Sequence, residues 1–240
     1  MRLRNYEEAV EAAESGEDLW AALSEFFRDS EVTRISYLHC PPVGAPDARS
    51  PRFHAEGFPE ELVGQYLEER LYRDNPVLAA ARARLEPVYW EEALAAMTLT
   101  EREKAFVDRF RAADLGHGVG IPVYGPNGRE GHCGLGFAKG VRRIRPQALS
   151  SYQWVCQLGH LRYCAAVLPG LPDPKLSDRE VEVLNWVAAG KSSGLIAQIL
   201  GISTHTVDAH MRRICLKLGV SDRISAAVRG VGTGLIHAAE

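Results

Sequence analysis

The side chains with the most distinctive chemistry lie between Gly190 and Gly219, in the run GKSSGLIAQILGISTHTVDAHMRRICLKLG. His205, Asp208 and Arg212 are separated by three and four residues, so they share one face if the segment is helical. Hydrogen-bonding and cationic side chains on an exposed helix can read base edges in the major groove of DNA. The run therefore indicates recognition of double-stranded DNA.

Position on this helix separates two kinds of DNA contact. Base edges are the predicted partners of His205, Asp208, Ala209 and Arg212. Phosphates are the predicted partners of Lys191, Ser203, Thr204, Thr206, Arg213 and Lys217. The alternative is that Arg212 and Arg213 form the solvated face of an ordinary helical hairpin.

Turn and capping residues divide this part of the chain into short helices. Ser177 and Glu180 have the spacing of a capping box, and Gly190 supplies a helix end. Gly201 then ends a second helix, and Ser203 caps a third. The apolar residues Val207, Met211, Ile214 and Leu218 form the buried face of that third helix. Two short helices joined by a tight glycine turn predict a helix-turn-helix.

The segment LSDREVEVLNWVAAGKSSGLIAQILGISTHTVDAHMRRICLKLGVSDRISAAV resembles the LuxR-type DNA-binding domain. The resemblance implies a four-helix module that binds an operator as a homodimer, with the last helix helping to pair two copies, and RNA polymerase as a further partner. Leu195 stands where the family usually has an acidic residue, which leaves an extra exposed leucine.

The best domain boundary is LPGLPDPK, where three prolines and a glycine disfavour helix. We therefore predict an N-terminal ligand-binding domain at 1–167, a linker at 168–175 and a DNA-binding domain at 176–240. Residues 175–240 contain eight Lys and Arg against six Asp and Glu, although the whole chain has a formal net charge of -3. This mild asymmetry agrees with a polyanion partner for the C-terminal part.

The N-terminal part mixes strands with helices. VTRISYLHC predicts a strand at Val32–Cys40, and GVGIPVY and GHCGLGFA predict a hairpin around Asn127-Gly128. Helices are predicted at 6–29, 60–71, 76–83, 100–114 and 147–167, the last with an apolar stripe that covers the sheet or pairs with a second copy. The stripe consists of Trp154, Leu158, Leu161, Ala165 and Leu168. The expected fold class is α+β: an α-β-α sandwich with an antiparallel sheet, followed by an all-α helix-turn-helix domain.

Two N-terminal segments, GFPEELVGQYLEERLYRDNPV and EPVYWEE, resemble the acyl-homoserine-lactone-binding domain of quorum-sensing LuxR regulators. DLGHGVGIPVYGPNG resembles a later stretch of the same domain. The resemblance implies that Asp74 accepts a hydrogen bond from the ligand amide and that Tyr66 donates one to the acyl carbonyl. It also implies that Trp90 packs against the lactone ring. Leu62 replaces a tryptophan that donates to the lactone carbonyl in the family, so one head-group hydrogen bond is missing.

The acyl tail is expected among Ile35, Tyr37, Leu38 and Val77. The residues alone allow a plainer interpretation, in which Tyr66 and Trp90 are core aromatics and Asp74 is a helix N-cap. The ligand is therefore an acyl-homoserine lactone, a related acylated compound, or none.

Several function classes lack support in the sequence. No run approaches the roughly 18 apolar residues that span a bilayer, and the polar N-terminus does not resemble a signal peptide, so we expect a cytoplasmic protein without a membrane partner. Five scattered cysteines predict reduced thiols rather than disulfides or a zinc site. No phosphate-binding loop, nucleophile–base pair or metal motif is present, so neither a cofactor nor an enzyme is predicted. An enzyme that uses the Asp74, His54 and Cys40 region is the last-ranked alternative.

The sequence thus predicts a transcription regulator in which an acylated signal alters a folding or dimerisation equilibrium. Two alternatives stay open: a regulator that needs no ligand, and a protein that pairs with a relative and sequesters it.

Overall fold

A computed structural model describes residues 1–49, 51–167, 170 and 173–236. The chain forms two compact units. Unit 1 comprises Met1–Cys40, Arg52–Gly125 and Glu130–Pro169, and unit 2 comprises Pro41–Pro51, Pro126–Arg129 and Gly170–Glu240. Within the predicted linker, Leu168, Pro169, Leu171 and Pro172 lie outside the described residues. The domain boundaries stay a prediction.

Unit 1 is built on a five-stranded antiparallel sheet. The strands are β1 (Val32–Cys40), β2 (Arg52–Glu56), β3 (Val88–Tyr89), β4 (Gly118–Tyr124) and β5 (Glu130–Phe137), in the order β2-β1-β5-β4-β3. The predicted strand at Val32–Cys40 and the predicted hairpin, which is β4 and β5, are confirmed. The edge strands β2 and β3 were not predicted, because both are short and neither shows a long alternation of apolar and polar residues.

Helices cover both faces of this sheet, as the predicted α-β-α sandwich requires. They are α1 (Leu3–Ala12), α2 (Gly16–Phe27), α3 (Glu60–Glu68), α4 (Pro76–Arg84), α5 (Trp90–Ala95), α6 (Glu101–Ala112) and α7 (Pro146–Val167). The single helix predicted at 6–29 is two helices, because Ser15 and Asp18 form a capping box that starts α2.

The main core of unit 1 lies between the sheet and α1, α2 and α7. Ile35 and Tyr37 of β1, with Ile121 of β4 and Leu135 of β5, point to this core, where Tyr6 of α1 donates a hydrogen bond to the Val155 carbonyl at 2.9 Å. Alternate residues of the same strands face the other helices, since successive side chains of a strand point to opposite faces. The two faces of the sheet therefore pack against different sets of helices.

The apolar stripe predicted on α7 is not the buried side of that helix. Trp154 is 50% exposed and Leu161 is 42% exposed, whereas Val155 and Cys164 are buried. The helix carries apolar or half-apolar side chains around much of its circumference, so spacing alone did not identify its sheet-facing side. Pairing of the predicted stripe with a second copy stays a prediction. Leu168 of that stripe lies outside the described residues.

Unit 2 contains four helices in the described C-terminal residues: α8 (Asp178–Ala188), α9 (Ser193–Leu200), α10 (Thr204–Leu218) and α11 (Arg223–Thr233). The predicted caps are confirmed, because Ser177 and Glu180 form a capping box and Ser203 accepts from the Thr206 amide. The predicted buried face of α10 is also confirmed. On α9, Ile196 and Ala197 are buried, whereas Ile199 is 42% exposed.

Among the described residues, no helix is long and apolar enough to cross a membrane. None of the five cysteines, all of which are among the described residues, forms a disulfide; Cys133, Cys156 and Cys164 are buried, and Cys40 and Cys215 are half-buried.

Candidate functional site: an apolar cavity and an exposed helix

A cavity of about 660 Å³ lies in unit 1, between the sheet and the helices α3 to α6. This volume is within the roughly 300–1,000 Å³ range of small-molecule sites. Its walls are mostly apolar and aromatic, from Leu38, Phe53, Phe58, Leu62, Val63, Val77, Trp90, Leu94, Phe106, Val107 and Phe110. The charged lining residues Glu91, Arg111 and Asp114 are exposed, so the polar groups farther inside are uncharged.

Tyr66 and Asn75 form the main polar pair of the cavity. The Asn75 Oδ1 atom accepts hydrogen bonds from the Val77 and Leu78 amides, which caps α4. Its Nδ2 atom donates to the Tyr66 hydroxyl at 3.2 Å. Tyr66 packs against Phe53, with ring centroids 4.7 Å apart, and burial raises the pKa of its phenol. The hydroxyl is therefore a neutral group that can donate to a ligand acceptor.

Asp74, predicted to accept from the ligand amide, is not among the lining residues of the cavity. It is the last residue of a 3-10 helix, Leu71–Asp74, and the next residue, Asn75, lies against the cavity. A neutral amide therefore lies one residue further along, where a carboxylate was expected, and its oxygen already caps α4. The helix cap considered as an alternative role for Asp74 is also Asn75.

The residues predicted to surround an acyl tail divide between the two faces of the sheet. Leu38 and Val77 line the cavity. Ile35 and Tyr37 face the opposite core, where the Tyr37 hydroxyl lies 2.8 Å from Nδ1 of His160. Because strand residues alternate, Leu38 and Tyr37 could not both reach one cavity.

Trp90 and Leu62 both line the cavity, as predicted. The indole of Trp90 lies against β4 and β5 because glycine leaves room there. A Cβ atom on Gly118 would lie 2.4 Å from the indole Cζ2 atom. Leu62 presents an apolar side chain that is 8% exposed, so it offers no hydrogen bond to a head group.

Three uncharged polar residues that line the cavity were not predicted from the sequence: Ser36, Asn75 and His132. The strand predictions contained a usable signal, since Ser36 is two residues from Leu38 and therefore on the same face. His132 occupies the equivalent alternating position on β5. Its imidazole is buried, and burial, reinforced by the charge of Arg82, lowers its pKa to about 4.

A second group of buried polar side chains lies on the other face of the sheet. His39, His160 and Cys164 each offer one atom that could bind a metal ion, and these three atoms all lie within 4.8 Å of one another. No sequence motif indicated this cluster, because His39 is on β1 and the other two are on α7. Cys164 Sγ contacts His160 Nε2 at 3.6 Å and Tyr37 contacts the other ring nitrogen, so hydrogen bonds already engage this imidazole.

In unit 2, α10 presents the predicted DNA-contacting residues. Thr204, His205, Asp208, Arg212 and Arg213 are exposed, together with Ser203 at the N-cap, and Thr206, Ala209 and Lys191 are half-buried. Gly201, with φ of 64°, ends α9 in the left-handed conformation that glycine adopts readily. Three residues, Gly201, Ile202 and Ser203, separate the end of α9 from the start of α10 at Thr204. Leu195, the departure from the family pattern, is 41% exposed.

Lys217 makes contacts inside unit 2. Its ammonium group donates to Glu180 Oε2 at 2.6 Å and to the Lys175 carbonyl at 3.1 Å. Burial would raise the pKa of the Glu180 carboxyl, but hydrogen bonds from Lys217 and Ser177 outweigh it and the pKa is lowered. Lys217 therefore forms an ion pair within unit 2, and because the residue is exposed its contact with phosphate stays a prediction.

Comparison with known proteins agrees with both units. Residues 15–163 match the family described as autoinducer binding domain, and residues 174–229 match the family described as bacterial regulatory proteins, luxR family. The transcriptional activator AhyR of Aeromonas hydrophila is 29% identical over 192 residues, which cover 74% of this chain and 71% of AhyR. A putative regulator, y4qH of Sinorhizobium fredii, is 33% identical over 166 residues, 68% of this chain; the match spans half the length of y4qH.

Solved structures support the fold. Escherichia coli SdiA aligns over 98% of both chains with a TM-score of 0.78 and 22% sequence identity. SdiA in complex with octanoyl-rac-glycerol gives a TM-score of 0.75 at 23% identity, covering 98% of this chain and 95% of that one.

Proposed function

The chain belongs to the luxR family of bacterial regulatory proteins and carries an autoinducer-binding domain, and from this membership we propose that an acylated signal in the unit 1 cavity controls operator binding by a dimer. The observation that carries the proposal is the cavity itself, which combines aromatic walls with a few uncharged polar groups. Such a lining suits a ligand with a long apolar part and a small polar head.

The proposed ligand is an acyl-homoserine lactone or a related acyl compound. The Tyr66 hydroxyl donates to the acyl carbonyl, and Trp90 contacts the head group. An acyl ester is a second candidate, because Asn75 uses its oxygen to cap α4 and directs its amide donors toward Tyr66. An ester has no N–H group that needs an acceptor, and the related protein SdiA was crystallised with octanoyl-rac-glycerol.

Thermal melting of the purified chain tests the ligand. We expect an acyl-homoserine lactone series or octanoylglycerol to raise the melting temperature, because a ligand that binds only the folded state stabilises it. A lack of shift with every chain length of both classes would favour a regulator that needs no ligand.

The proposed DNA contact uses α10 and a second copy of the chain. Arg212→Ala should reduce discrimination at one base pair by about 1–3 kcal/mol, whereas Lys191→Ala should weaken binding to all sequences alike. Operators selected from random DNA provide the measurement, and Arg145→Ala, an exposed arginine of unit 1, is the matched control. Unchanged preference in Arg212→Ala would contradict the base contact.

A homodimer is proposed because single modules carry few cations. Two modules bound to half-sites about one helical turn apart would combine their binding free energies. Support comes from α11, where Ile224, Val228 and Val231 are exposed at 76%, 39% and 51% and follow helical spacing. RNA polymerase is the proposed further partner. A purified homodimer that binds no operator would favour the alternative in which the chain pairs with a relative and sequesters it.

A further inference from the structure

His132 is a buried polar side chain of the cavity to which the proposed function gives no role. It lies on β5, paired in register with Leu38 of β1 and Pro122 of β4, and it lines the cavity. The residue is 6% exposed. Its Nε2 atom is buried and has no hydrogen-bond partner among the described residues.

An unpaired buried nitrogen of this kind is costly. A buried polar group without a partner loses its hydrogen bonds to water on folding and gains none in return. The pKa of His132 is lowered to about 4 by burial, so at neutral pH the ring is uncharged. A neutral imidazole offers one N–H donor and one acceptor, and either tautomer presents a usable atom at Nε2. The ring therefore suits an uncharged ligand group.

Glycines keep the space around this nitrogen free of side chains. A Cβ atom on Gly120 would lie 2.5 Å from Nε2 of His132 and 2.6 Å from Cγ1 of Val77. A Cβ atom on Gly134 would lie 2.6 Å from the Ser36 Oγ atom and 4.0 Å from the His132 ring. The two polar side chains thus flank a bare stretch of the sheet. A ligand can contact the backbone there and reach both of them.

Ser36 adds a second polar atom at the same place. Its hydroxyl makes only a long contact of 3.5 Å to the Gly134 carbonyl, so it can turn to a better partner. Tyr66 and Asn75 hold polar atoms on the helix side of the cavity, and His132 and Ser36 hold them on the sheet. The cavity therefore has polar groups on two walls, separated by apolar surface.

We propose that His132 contacts the ligand directly and selects a signal that carries an oxygen function, a ketone or a hydroxyl, on its acyl chain. This inference rests on the proposed function, because it needs an acylated ligand in this cavity. The oxygen hydrogen bonds to Nε2 and supplies the missing partner, with Ser36 as a second contact. An unsubstituted acyl chain leaves the imidazole unpaired and binds less tightly.

The test compares ten-carbon acyl-homoserine lactones that differ only in the chain: unsubstituted, 3-oxo, 3-hydroxy and terminal hydroxy. Calorimetry with the full chain measures each Kd. At least one oxygenated lactone should bind about threefold to tenfold more tightly than the unsubstituted one, which is the net effect of one hydrogen bond. His132→Phe, similar in size but without ring nitrogens, should remove that preference.

Controls separate the possible failures. His54→Phe changes a histidine that lies outside the cavity lining and should keep the preference. His132→Leu is a second variant if His132→Phe fails to fold, and unliganded His132→Phe should melt no lower than wild type. Equal affinities in wild type, or a preference that survives loss of His132, would overturn this inference alone. A wild-type chain that binds none of the lactones would overturn the inference together with the lactone form of the proposed function.

Discussion

Tyr66 combines packing and polarity in one side chain. Its ring contacts Phe53 and lies near Phe106, with centroids 4.7 Å and 6.3 Å away, and its hydroxyl accepts from Asn75. Tyr66→Phe keeps the packing and removes the donor to the ligand. We expect a loss of about 1 kcal/mol in ligand binding, roughly a fivefold higher Kd by calorimetry. Tyr72→Phe, a neighbouring tyrosine outside the cavity lining, is the control and should leave the Kd unchanged.

The Glu180–Lys217 ion pair gives a prediction about the stability of unit 2. Glu180 is 2% exposed, so removal of its ammonium partner leaves a buried carboxylate. Lys217→Met should lower the free energy of unfolding of unit 2 by about 2 kcal/mol. Chemical denaturation measures this loss, and addition of Glu180→Gln to the same variant should recover part of it. No loss of stability would contradict a stabilising role of the ion pair.

The same pair predicts a pH dependence. The folded-state pKa of Glu180 lies below its ordinary value of 4.5, so the unfolded chain binds the proton more readily. The stabilisation is complete above pH 4.5 and is lost as the pH falls through the lower folded-state pKa. Unfolding measured between pH 6 and pH 3 should show a smaller decrease in Glu180→Gln than in wild type. Parallel curves for the two proteins would contradict the ion pair.

The cavity residues also show which site positions can be predicted from the sequence and which cannot. Tyr66, Trp90, Leu62, Leu38 and Val77 were placed correctly against the cavity. Asp74 was not, because a one-residue change of register in a short 3-10 helix exchanges a carboxylate for the amide of Asn75. The surroundings of His132 could not be predicted, since they depend on Gly120 of the neighbouring strand β4 and on Gly134 of its own strand, which leave space beside its ring.

Among the helices, the spacing of apolar residues predicted the buried face correctly where the opposite face is clearly polar. The buried face of α10 and its caps follow directly from spacing and from Ser203 and Gly201. Periodicity failed on α7, where Tyr152, Tyr163 and Cys164 on the buried side compete with Trp154 and Leu161 on the exposed side. The burial of that helix is decided by the helices and strands around it. The edge strands β2 and β3 were likewise fixed by pairing rather than by composition.

The cavity face of the sheet depends on glycine, which gives a prediction at the scale of the element. In Gly120→Ala, the new methyl group would lie within 2.6 Å of His132 and Val77 and would occupy cavity space. We expect ligand affinity to fall at least about tenfold and stability to fall by about 1–3 kcal/mol. The readouts are calorimetry and thermal melting.

Gly64→Ala is the matched control for this prediction. Gly64 lies within α3, and a Cβ atom there meets nothing within 4 Å. Alanine in a helix interior should raise stability by about 0.5–1 kcal/mol without changing ligand affinity. Wild-type affinity in Gly120→Ala would place the ligand elsewhere.

For the whole molecule, the proposed dimer places α11 of two copies together. Ile224→Glu puts a charge on the exposed apolar stripe of that helix and should raise the dimer dissociation constant more than about tenfold, because burial of an unpaired charge is costly. Sedimentation measures the change, and affinity for a two-half-site operator should fall more than affinity for a single half-site. Leu85→Glu, at a leucine of unit 1 that is 66% exposed, should leave the dimer intact. An unchanged dimer in Ile224→Glu would move the interface to another surface.

The central claim is that occupancy of the unit 1 cavity controls operator binding by unit 2. Fluorescence anisotropy on an operator selected with the purified chain tests it, with the operator Kd measured with and without a saturating ligand that raises the melting temperature. We predict that the ligand changes the operator Kd severalfold in wild type, and that the same ligand concentration changes it less in Gly120→Ala. An operator Kd that is the same with and without bound ligand in wild type would contradict the account.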